Sequence, residues 1–157
     1  MYQMMSEGLL PVFTRQPEHY AHLIGSKDYP KLRGMVFFYP FGQGTVVAAD
    51  VSGLPENESG LFAMHIHEGG SCTGNETDPF ADAGGHFHKG DQAHPMHAGD
   101  MPTLFSNGGR AWNAFYTERF SPQDIVGKTV ILHGAPDDYR SQPAGNSGPR
   151  IACGVIY

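Results

Sequence analysis

The chain has 157 residues, enough for one domain with its own hydrophobic core. Its 21 glycines and 12 prolines punctuate it too often for long helices. A formal charge of −6 without any Lys/Arg cluster argues against a nucleic-acid surface, and the apolar runs are far too short to cross a membrane.

Residues 1–18 show no periodicity and read as an N-terminal arm in extended form, ahead of a domain over 19–157. The opening MYQMMSEGLLPVF has neither a basic start nor a sustained apolar core. It does not read as a signal peptide, so the expected location is cytoplasmic, with periplasmic or extracellular as the alternative. Strand candidates then recur. The first is 20–26, and the second is 33–39, where Val36, Phe37, Phe38 and Tyr39 are strongly β-prone. A turn at Phe41-Gly42-Gln43-Gly44 leads to a third at 45–51, and 61–67 is a fourth. The short run 103–106 precedes Asn107-Gly108-Gly109, a hairpin signal, and 111–117 returns from it. Runs at 128–133 and 150–156 complete eight strands, which predicts an all-β, antiparallel sandwich or barrel. Two stretches break the pattern: 68–102, about 35 residues, and 134–149, about 16. Aperiodic loops of that length inside a domain are usually functional.

The histidines concentrate in and beside these loops. Alternation in 61–67 sends Phe62, Met64 and Ile66 to the core and places His65 and His67 side by side on the outer face, close enough to share an ion. His133 ends another strand at the mouth of a loop. Within 68–102, His86, His94, His97 and Asp100 offer three nitrogens and a carboxylate, the donor set of a closed tetrahedral zinc site. Neutral imidazole suits copper as well as zinc. More than one ion is expected. Cys72 and Cys153 are either two separate thiols or one disulfide, and spacing alone leaves both open.

From about Tyr20 onward the chain resembles the copper/zinc superoxide dismutases, in a bacterial-type form. The resemblance rests on MHIHEGGSC (64–72), DAGGHFH (82–88), HPMHAGDMP (94–102), GKTVILHGAPDD (127–138) and GNSGPRIACGVI (145–156), in that order. It implies an eight-stranded Greek-key barrel or sandwich, immunoglobulin-like, with two long functional loops. It also implies cycling between Cu(II) and Cu(I) that turns superoxide into dioxygen and hydrogen peroxide, with zinc in support. His65, His67, His86 and His133 would hold copper; His86, His94, His97 and Asp100 would hold zinc, His86 bridging the two ions. Cys72 and Cys153 match the family's disulfide. Arg150 matches the arginine that guides the anion, and Asp137 the carboxylate that links a copper histidine to a zinc histidine.

Departures are visible too. Only two residues separate His94 from His97, so the zinc loop is shortened, and 134–149 is short, keeping Arg140 but no lysine. His88 stands where the family usually has asparagine and is expected to be a spectator. The partner expected is the superoxide anion, with no nucleic acid and no membrane; a homodimer and a monomer both remain open. A non-catalytic copper-binding or chaperone module on the same fold is the alternative, and the presence of His133 and Arg150 argues against it. A cupin-type site leaves the cluster at 94–100 unexplained. A structural zinc protein leaves His65, His67 and His133 idle.

Overall fold

A computed structural model describes residues 8–157. The sequence expectations for residues 1–7 lie outside this range. Among the described residues nine strands form: β1 (His19–Gly25), β2 (Arg33–Phe41), β3 (Gly44–Ser52), β4 (Leu61–Phe62), β5 (Met64–His67), β6 (Leu104–Phe105), β7 (Arg110–Thr117), β8 (Thr129–His133) and β9 (Arg150–Val155). The predicted strand over 61–67 is two strands, because Ala63 leaves the ladder: its N–H donates to Ala135 O, and its carbonyl accepts from His133 N–H.

Seven strands make one curled antiparallel sheet in the order β5-β8-β9-β1-β2-β3-β7. The ribbon β4–β6 is continuous in chain with both edge strands, β5 through Ala63 and β7 through the hairpin turn. It therefore lies where the sheet would otherwise stay open, and the result is a Greek-key β-barrel. In that hairpin Gly108 and Gly109 have φ of 61° and 82°, values that glycine adopts without strain.

Alternation fills the interior with Leu23, Val36, Phe38, Val47, Phe62, Met64, Ile66 and Leu132. A second cluster lies on the outer side of β2, β3 and β7, where Tyr39 and Val46 meet Val12 and Phe13. Residues 8–18 are thus not simply extended. Leu10–Thr14 winds into a 3-10 turn, opened by Pro11, and packs the Phe13 ring edge-on to Tyr39 at 5.5 Å. The four-residue helix α1 (Pro122–Ile125) escaped the strand reading. Its signal is local: Ser121 before Pro122, with Asp124 accepting from the Ser121 N–H at 2.7 Å and hydroxyl at 2.9 Å.

One irregularity positions the site. The β8–β9 register shifts between Leu132, opposite Ala152, and His133, opposite Arg150. Ile151 and Ala152 consequently both join the core, whereas Cys153 packs outside with Ile131. Strict alternation from Cys153 would send Arg150 inward; the bulge returns it to the outer face, beside His133.

Candidate metal centre

The outer face of β5 and β8 does not meet solvent. Segments of the 68–102 loop pair with the free edge of β5. Phe87 N–H donates to Ile66 O at 2.8 Å, Glu68 N–H to Gly85 O at 2.9 Å, and Ile66 N–H to Gly99 O at 2.9 Å. The stretch is therefore an ordered extension of the sheet. Phe80 and Ala83 pack on Ile131, and a Cys72–Cys153 disulfide with Cα atoms 5.6 Å apart ties the loop to β9. His65 and His67, expected on an outer face, are consequently 0 % and 1 % exposed.

Two sets of donors converge under this cover. His65, His67, His86 and His133 form one, and His86, His94, His97 and Asp100 the other; within each set the donor atoms lie within 4.8 Å of one another. His86 belongs to both. Its Nδ1 meets Asp100 Oδ1 at 2.7 Å, while its Nε2 has no partner. The remaining rings are bare in the same one-sided way: His65 Nδ1, His67 Nε2, His94 Nδ1, His97 Nδ1 and His133 Nε2 are buried without a hydrogen bond. An unsatisfied buried polar atom costs about 1–3 kcal/mol. Six of them aimed into two small volumes are what metal ligands look like before the ion is counted, and the donor types fit. An all-imidazole set suits copper, and three imidazoles with a carboxylate suit zinc.

On His65, His94, His67 and His133 the opposite nitrogen is held. Asp137 accepts from His65 Nε2 at 2.7 Å with one oxygen and from His94 Nε2 at 2.8 Å with the other, so one carboxylate orients a ring in each set. His67 Nδ1 donates to Gly84 O at 2.8 Å, and His133 Nδ1 makes a longer contact of 3.4 Å with Gly148 O. Gly84 has φ 69° and ψ −152°, a region open essentially to glycine alone. This explains its place in the DAGG sequence. Its carbonyl also accepts from Arg150 Nη2 at 2.7 Å, while Arg150 Nη1 donates to Phe80 O at 2.8 Å.

Electrostatics match ligation. Burial pushes His67 down to about 2 and His133 down to about 3, and nearby imidazoles and Arg150 act in the same direction. Burial also lowers His65 and His97. All four rings are therefore neutral at neutral pH, the form that binds a metal. For Asp100 and Asp137 burial alone would raise the pKa, but hydrogen bonds from the imidazoles outweigh it, and both carboxyls stay below their ordinary range.

A cavity of about 470 Å³ opens on His67, His86 and His133, with Arg150 in its wall. The other Asp, Glu, Lys or Arg side chain in the wall, Glu68, is paired with Lys128 at 2.7 Å, and the Arg150 guanidinium, whose Nε lies 3.6 Å from Asp78 Oδ2, supplies the positive charge of the lining. His88 is an exposed rim residue. Its Nδ1 contacts Gly90 O at 3.0 Å, and it joins neither donor set. Sequence reasoning missed Gln142, whose side chain holds the His94 backbone, and Arg119, which donates to Pro95 O at 2.8 Å. No pattern of residue types signals such contacts between a side chain and a distant backbone.

A Greek-key barrel with two adjoining imidazole-rich donor sets defines a binuclear metalloprotein. The model of the copper/zinc superoxide dismutase (SODC) family matches residues 32–156. The chain is 32 % identical to superoxide dismutase [Cu-Zn] 2 of Aquifex aeolicus over 159 residues, which cover 92 % of this chain and 89 % of the relative. It is 37 % identical to superoxide dismutase [Cu-Zn] of Deinococcus radiodurans over 144 residues, covering 80 % and 78 %. The Cu/Zn superoxide dismutase structure from Brucella abortus superposes with a TM-score of 0.75 at 25 % identity, covering 89 % of this chain and all of that one. The chain belongs to the copper/zinc superoxide dismutase family.

Proposed function

We propose that this protein disproportionates superoxide, with copper held by His65, His67, His86 and His133 and zinc by His86, His94, His97 and Asp100. The observation that carries the assignment is the set of six imidazoles, each with a buried nitrogen that has no hydrogen bond, divided between two donor sets that share His86. Copper when bound supplies one-electron cycling, and zinc supplies a redox-inert charge. The chain's residues do the rest. Asp137 fixes the rings of His65 and His94 together, and Gly84 sets both His67 and Arg150. Arg150 draws the anion into the cavity without ligating metal. Two superoxide anions and two protons leave as dioxygen and hydrogen peroxide. The Cys72–Cys153 disulfide suits an oxidising compartment, which supports a periplasmic or extracellular location over the cytoplasmic one.

Elemental analysis with a dismutation assay tests the reading. One copper and one zinc per chain with fast turnover are expected. His67→Ala should keep zinc but lose copper and most of the activity; full activity in a copper-loaded variant would place copper elsewhere.

A further inference from the structure

His94 is held from outside its own loop at three polar atoms, and all three partners come from residues 134–149. Asp137 takes its Nε2. Gln142 takes its backbone: Oε1 accepts the His94 N–H at 3.0 Å, and Nε2 donates to the His94 carbonyl at 2.7 Å. A single side-chain amide thus satisfies both main-chain groups of one residue, as a neighbouring strand would. Glutamine is suited to this because it carries a donor and an acceptor side by side.

The chain leaving Gln142 goes directly to the cavity. Pro143 and Ala144, with Ser147 and Gly148, line the wall facing His67, His133 and Arg150. Gly145 presses against the same histidine. A Cβ there would collide with the Asp137 carboxylate and lie 2.7 Å from His94 Nε2. The wall of the copper-facing cavity and the backbone of His94 therefore cannot move independently.

We propose that Gln142 is a positioning residue for the dismutation reaction: it joins His94 to the cavity wall, so that zinc at His94 orders the segment 143–148. The proposal rests on the zinc assignment given above. Zinc fixes the His94 ring, Gln142 passes that constraint to its own backbone, and the residues that follow keep the opening toward Arg150 in shape.

The test compares the wild type with Gln142→Glu, which keeps length and the acceptor but loses the donor, and Gln142→Met, which loses both. Zinc is added to metal-free, disulfide-intact protein. Its affinity is read by chelator competition and the order of 143–148 by hydrogen exchange. In the wild type, zinc should slow exchange across 143–148. In both variants zinc affinity should fall about five- to tenfold, the scale of one net hydrogen bond, and the zinc-dependent slowing should largely disappear. The melting temperature of the variants should fall further below the wild type with zinc bound than without it; an equal loss with and without zinc would mark Gln142 as a general brace and overturn the proposal. Wild-type affinity and zinc-dependent protection in both variants would overturn it as well. A wild type that takes up zinc normally without protecting 143–148 would overturn the coupling alone, whereas one that takes up no zinc would remove the zinc assignment and the coupling with it.

Discussion

Asp137 shows how much can depend on one side chain. Its two oxygens serve two rings, one in each donor set. An asparagine keeps one acceptor where two N–H groups point, and an alanine keeps none. Asp137→Ala should therefore weaken zinc binding by about 10–100-fold, with Asp137→Asn in between; chelator competition gives the order, and equal affinity in all three proteins would remove the orienting role. In the proposed reaction Arg150 would work through space instead. The whole chain is acidic, at −6, so an anion meets net repulsion until it reaches this guanidinium. Arg150→Ala should lower kcat/KM while both ions stay bound, and its rate should depend less steeply on salt, since screening at about 0.15 M acts over about 8 Å. Parallel salt curves for the two proteins would assign guidance to other charges. Both residues were legible only through the family resemblance. Composition and periodicity do not show that Asp137 lies between His65 and His94, because that proximity arises from loop closure across 72 and 43 positions.

The strands were far more legible than the links between them. β-prone runs bounded by turn signals located β1, β2, β3, β7, β8 and β9 to within two residues at each end. Period-two alternation in 61–67 put His65 and His67 on the same face. It could not report that the face is covered, since the cover is made by backbone contacts of 85–87 and 98–100 that carry no periodic signal. Nor could it reveal the bulge at Ile151–Ala152 that turns Arg150 outward. The disulfide joins these elements, with a separation of 81 residues between its halves. In the chain-entropy description such a crosslink stabilises by about 4–5 kcal/mol. Cys72→Ser with Cys153→Ser should lower the unfolding midpoint strongly. It should also free the carbonyls of Phe80 and Gly84 from Arg150, so that activity falls more than metal content. Alkylation of both thiols in the unreduced, folded wild type would show that the crosslink is not formed.

For the molecule as a whole, the barrel is built to keep imidazoles neutral, and that choice has a consequence in acid. Above about pH 6.5 His67 and His133 are uncharged both folded and unfolded, and they contribute nothing to pH dependence. Below it the unfolded chain takes up protons that the folded rings refuse, down to about 2 for His67 and about 3 for His133. The unfolded state then binds more protons, so stability must fall with pH, by at most about 1.4 kcal/mol per ring per pH unit. Asp100 and Asp137 add a later loss in the same direction. Their depressed values stabilise the fold above the ordinary carboxylate range, and that contribution disappears as pH drops through their folded values. Metal that binds only the folded form shifts the balance back by mass action, so the loaded protein should hold its stability to lower pH. Urea midpoints of metal-free protein should thus decline from about pH 7.5 to about pH 5 with an unchanged slope, while those of copper- and zinc-loaded protein stay higher and flatter. A metal-free midpoint that does not move across this range would mean that the site opens to water before it protonates, and the buried, neutral character of His67 and His133 would have to be abandoned.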